Sequence, residues 1–132
     1  MITELQLRKY IGMEYRDDFD CADFAVFFVR EFFGRQVELP GARPRGDGSE
    51  NELQDLSKPY GTRTDAPEDG DFVLMFDRGY TIPTHGGIYL VVNHEPHVLH
   101  CVAKAGGSVL HPVRKLHLLG LNIEGFYKWI DR

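Results

Sequence analysis

Apolar positions follow two regimes along this chain, helical in the first quarter and alternating in the second half. Ile2, Leu5 and Tyr10, with charged residues between them, predict a short amphipathic helix closed by Gly12. Tyr15 to Asp20 is a polar turn. From Cys21 to Phe33 apolar side chains fall on almost every side, which predicts a central, buried helix rather than one laid on the surface. Asp20 is placed to cap that helix, because its carboxylate can accept the orphan N–H groups of the first turn, and Gly34 is placed to end it. Residues 40 to 50 form a loop by composition, and Asn51 to Leu56 have the pattern of one short helix. After a turn-rich stretch from Thr62 to Gly70 the pattern becomes that of strands. These are Asp71 to Phe76, then a hairpin of His85 to Val92 and His97 to Ala103 about a turn at Asn93 to Pro96, then Val109 to Val113 and Gly125 to Ile130. Helices first and a meandering antiparallel sheet afterwards predict an α+β fold.

The length of 132 residues suits one domain with one core, and no repeat, low-complexity tract or linker divides it. Nine Phe, six Tyr and one Trp favour a packed interior over disorder. A net charge of −5 argues against nucleic acid as the main partner, since phosphate binding needs a clustered positive surface. No apolar run is long enough to span a membrane. The first ten residues alternate charge and apolarity without the apolar centre of a signal peptide, so the expectation is synthesis in the cytoplasm. Two cysteines make no disulfide scaffold, and free thiols are the default.

One of those thiols stands where chemistry is expected. Cys21 follows the capping Asp20 and opens the apolar helix, and a helix N-terminus stabilises a thiolate through its partial positive charge. Far downstream His85 opens a strand and can supply an imidazole if the sheet packs against the helix start. A third polar group usually orients such a histidine. His97 and His100 are the candidates on the next strand, and alternation puts them on opposite faces, so one at most serves. His100 is favoured because it lies deeper in the strand. If it lines the cleft, Cys101 points away and is an inert buried thiol. His94, His111 and His117 read as surface or structural residues. The bland alternative is that Cys21 is a small core residue, His85 a solvated one and Tyr15 a plain aromatic staple.

Cysteine first on a helix and histidine later on a strand is the layout of papain-like cysteine hydrolases. More closely, the chain resembles the NlpC-type cysteine peptidases, papain-like enzymes that cut bacterial cell-wall peptides. That family's Gly-x-x-Tyr before Asp-Cys-Ser-Gly is similar to Gly12-Met13-Glu14-Tyr15 before Asp20-Cys21-Ala22-Asp23. Its Gly-Asp strand entry resembles Gly70-Asp71-Phe72-Val73, its His-Val-Gly-Ile-Tyr resembles His85-Gly86-Gly87-Ile88-Tyr89, and its later aliphatic-His-small element resembles Val98-Leu99-His100-Cys101. Val29 to Pro40 and Ile123 to Tyr127 look like the phage tail-associated branch. The resemblance covers most of the chain. It implies a papain-like fold with Cys21 as nucleophile, His85 as general base and acid, and His100 as the orienting member. Tyr15 would then contact the thiol region. No metal or organic cofactor is implied. The implied partners are peptidoglycan stem peptides, often cut between D-γ-glutamate and a diamino acid, together with other tail proteins, and the implied route to the wall is the phage particle.

Two departures stand out. Ala22-Asp23 replaces Ser-Gly, putting a carboxylate near the thiol. Gly86 replaces Val, which is expected to loosen the strand start and widen the cleft. The competing readings are a tail module that keeps the fold without turnover, an acyl transferase using the same thioester, and a Cys/His zinc site, although the ligand spacing does not resemble a compact zinc motif.

Overall fold

Thr3 starts the first helix. Its side chain accepts the Gln6 N–H while the Gln6 side chain accepts the Thr3 N–H at 2.9 Å, a reciprocal cap on α1 (Glu4–Leu7). A 3-10 turn over Arg8–Tyr10 continues it, and the chain leaves at Gly12 with φ of +87°. The structure, a computed structural model, describes residues 1–39 and 61–130. The loop expected over 40 to 50 and the helix expected over 51 to 56 lie outside the described residues.

Helix α2 (Cys21–Phe33) has the cap that its sequence predicts. Asp20 Oδ1 accepts from the N–H groups of Ala22 and Asp23 at 3.0 and 3.2 Å, and Asp23 Oδ2 accepts from the Asp20 N–H at 3.0 Å. The carboxylate of Asp23 therefore closes the cap. Gly34, at φ +67°, ends the helix. The expectation of a helix buried all round needs correction. Ala22, Phe24, Ala25, Phe28 and Val29 are buried, but Arg30 and Glu31 are exposed, so α2 lies on one face of the sheet. The apolar residues on its flank are taken up by ring-edge contacts with Tyr10 and Phe19 from the N-terminal segment.

Among the described residues six antiparallel strands follow: β1 (Gly61–Thr64), β2 (Phe72–Phe76), β3 (His85–Val92), β4 (Glu95–Val102), β5 (Gly107–Pro112) and β6 (Asn122–Trp129), in the order β1-β6-β2-β3-β4-β5. The α+β expectation holds. The β3–β4 turn is shorter than expected, only Asn93 and His94, both at positive φ (51° and 69°), as the tight primed hairpin turns require. Other elements were not expected. Thr62 and Arg63 lie in edge strand β1, paired with the last strand, and Val113–Leu119 forms a 3-10 segment between β5 and β6.

Register divides the sheet into two faces. One carries Phe72, Leu74, Ile88, Leu90, Leu99 and Cys101 and packs against α2 in the main core. The other carries Val73, Met75 and Val98 and is covered by Leu116 and Leu121. Gly86 belongs to the helix-side face, which corrects the expectation that it widens the cleft. A Cβ there would lie 2.4 Å from Cζ of Phe72, a buried ring that also packs edge-on against Trp129. Glycine is present because that ring fills the space. Gly86→Ala is therefore expected to lower stability by about 1–3 kcal/mol through overpacking, read as a lower urea midpoint at unchanged m.

Candidate functional site

The first turn of α2 and the start of β3 meet one cleft of about 940 Å³ at the end of the sheet, and both Cys21 and His85 line it. Tyr15 and Asp20 line it too. Tyr15 is carried there by a segment pinned to the start of β5. Ser108, which is buried, donates its hydroxyl to the Tyr10 carbonyl (2.6 Å) and accepts from the Met13 N–H (2.8 Å), and the Tyr15 N–H reaches the Gly106 carbonyl at 3.0 Å. Gly107 permits this approach, since a Cβ there would lie 2.5 Å from the Met13 carbonyl oxygen. Asp77, Tyr80 and Thr84, from the segment between β2 and β3, form part of its wall.

Behind His85 stands a row of imidazoles. His85 Nε2 lies 2.7 Å from His100 Nδ1, and His100 Nε2 lies 2.9 Å from His111 Nδ1. The register explains the row. His100 pairs with Val109, so His111, two residues on, shares its face of the sheet on the neighbouring strand, and His85 shares that face on the other side. Gly87 makes room for it, because a Cβ there would meet His100 Cβ at 2.8 Å and Val98 Cγ1 at 2.6 Å. His97 takes no part. Its Nδ1 is 2.8 Å from the Glu95 carbonyl oxygen, at the far end of the strand.

Three placements differ from the sequence expectation. His100 does not line the cleft; it is fully buried behind His85. Cys101 does point to the opposite face from His100, but that is the face of α2, and Cys101 borders the same cleft as Cys21. His111, expected to be a surface or structural residue, ends the imidazole row and lines the cleft. The cue for His111 was the shared alternation of His100 and His111 across the Gly106-Gly107 turn, which needs the register to be read.

Burial sets the electrostatics. It lowers His85 from the ordinary 6.5 to about 4, against the opposing pull of Asp77 and Asp20. His100 is held well below the ordinary value by burial and then by its two imidazole neighbours, and burial also lowers His111. All three are therefore neutral at pH 7. Burial, with Cys21 and Asp20 adding to it, pushes the Cys101 thiol up to about 11, so it stays protonated. Asp17, Asp18, Asp20 and Asp77 border the cleft with Lys104, which makes its rim acidic.

Among the described residues no group of three or more His, Cys, Asp or Glu is arranged to hold a metal ion, and no helix is long and apolar enough to cross a membrane. Comparison with known protein families, with characterised proteins and with solved structures gives no match to this chain.

Proposed function

We propose that this chain is a papain-like cysteine peptidase of the NlpC type that cuts stem-peptide bonds of bacterial peptidoglycan. The observation that carries the proposal is a helix-opening cysteine and a strand-opening histidine on one cleft, with the far nitrogen of that histidine bonded to a second, buried histidine. His85 Nε2 is engaged by His100, so Nδ1 is the nitrogen left for the thiol. In the reaction, Cys21 gives its proton to His85 Nδ1, and the thiolate attacks the peptide carbonyl. The Cys21 backbone N–H donates to the oxyanion, which also feels the positive end of α2. His85 then returns the proton to the leaving amine, and a thioester remains. Water attacks the thioester with His85 as base, releasing the acid and restoring the thiol. The acidic rim favours a substrate that presents an ammonium group, as the diamino acid of a stem peptide does. The tail-like segments 29–40 and 123–127 support delivery on a phage particle.

The test is mass spectrometry of soluble wall peptides after incubation with the protein. New fragments from one wall chemistry establish a peptidase and name the bond, whereas intact peptides from every chemistry tried favour a binding module of a tail. Parallel variants report on the histidines. His100→Ala leaves His85 without its partner and is expected to lower the cleavage rate by about 10⁴-fold, the effect of losing the group that holds a triad histidine in its tautomer. His97→Ala is expected to cut at the wild-type rate, because the His97 ring lies against the Glu95 carbonyl at the far end of the strand and takes no part in the row. Equal losses in both variants would remove His100 from the mechanism.

A further inference from the structure

His100 constrains its neighbours more than a passive spacer would. It is fully buried, and both of its ring nitrogens are in bonding contact with other imidazoles. A neutral imidazole has one donor and one acceptor, so His100 donates to one neighbour and accepts from the other. The row therefore has a direction. In one sense every ring holds its proton on Nε2: His85 donates to His100, His100 donates to His111, and His85 Nδ1 carries a lone pair. In the opposite sense every ring holds its proton on Nδ1, and His85 has no base to offer at that nitrogen. The ring that ends the row at the cleft wall is His111, and its Nδ1 either accepts from His100 or donates to it.

We propose that His111 is a positioning residue for His85: by accepting the His100 Nε2–H at its own Nδ1, it holds the row in the sense that leaves His85 Nδ1 free to take a proton. This rests on the reading of His85 as the base for Cys21. Two features of the structure permit that sense and a third selects it. His111 is only partly buried and lines the cleft, so its own Nε2–H has water to bond. His100 is too deeply buried to ionise and act as a double donor. Asp77 and Asp20 favour positive charge at His85, and when that ring takes a proton on Nδ1 its existing Nε2–H bond to His100 needs no rearrangement. A row set the other way would have to reverse all three rings before the thiol could be deprotonated.

The experiment needs no substrate, so its failure and the failure of the peptidase reading are separable. Nitrogen-15 NMR of the histidine rings in the wild-type protein at pH 7 is expected to show the Nε2–H tautomer for His85, His100 and His111. A proton on His100 Nδ1 or His85 Nδ1 would overturn the proposal before any variant is made. His111→Leu removes the acceptor at similar bulk and is expected to turn His85 into a mixture of tautomers. Alkylation of Cys21 by iodoacetamide should slow by about tenfold or more, because the thiolate is the nucleophile and its base is then partly in the wrong tautomer. His111→Asn puts an amide oxygen where Nδ1 stood and is expected to restore both the tautomer and the rate. Wild-type alkylation and an unchanged His85 ring in His111→Leu would assign His111 a packing role only. The same holds if Asn behaves like Leu. A wild-type protein that shows the expected tautomers but cuts no wall peptide would retain this inference and lose the peptidase.

Discussion

Cys21→Ala is expected to be a folded protein that releases no fragments from wall peptides, with a loss of at least about 10⁴-fold in turnover. The magnitude follows from the role. Without a thiolate no thioester forms, and what remains is the modest acceleration that binding and oxyanion donors give to attack by water. The fold has little reason to suffer. Cys21 is 7% exposed and is the first residue of α2, and the cap on that helix is made by the side chains of Asp20 and Asp23 and not by the thiol. Alanine is a good helix former, and the loss of one sulfur at this boundary costs about 1 kcal/mol or less. Asp20→Ala is the contrasting control. It removes a buried carboxylate that accepts from two backbone N–H groups, so it lowers stability by about 1–2 kcal/mol and is unsuited to judging catalysis. Mass spectrometry of the peptides beside thermal unfolding of both proteins gives the answer. A Cys21→Ala protein that still cuts at the wild-type rate removes the thioester mechanism outright.

What the sequence showed and what it hid divide along sequence separation. Asp20 and Gly34 bound their helix through local rules, and the β3–β4 hairpin has its turn in two adjacent residues, so these elements were legible. The pairing of β1 with β6 was not. Its partners, Gly61 with Trp129 among them, are distant in the chain, and a short polar edge strand such as Gly-Thr-Arg-Thr reads as a turn until its neighbour is known. The histidines repeat the pattern. That Cys101 and His100 face opposite ways follows from alternation alone. Which face the helix covers does not, and so the two residues exchanged their expected relation to the cleft. His111 depends on register as well as face, since a slip of one residue between β4 and β5 would turn it away from His100. Gly86 and Gly87 look alike in sequence, yet one makes room for Phe72 on the helix side and the other for His100 on the far side.

The protein is also expected to lose stability steeply as pH falls from 6.5 toward 4, and the imidazole row is the cause. In the unfolded chain each histidine titrates near 6.5. In the folded protein burial lowers all three, His85 to about 4 and His100 well below the ordinary value. Below pH 6.5 the unfolded chain therefore takes up protons that the folded protein refuses, and stability drops with falling pH. Above 6.5 both states are neutral at these rings and the full stability is present. For His85 alone the difference between 6.5 and about 4 amounts to about 3 kcal/mol, a large share of what a small domain has. His100 adds to the loss in the same direction. Urea unfolding at pH 7.0, 5.5 and 4.5 measures the slope directly, these pH values being set at about the window that the histidines define. His100→Gln, which keeps polar atoms at the centre of the row but cannot ionise, is expected to flatten the slope while lowering stability at pH 7. A wild-type protein equally stable at all three pH values would show that the row is not held neutral by the fold. The same neutrality supports the proposed chemistry, because a histidine already protonated at pH 7 could not take the proton of Cys21.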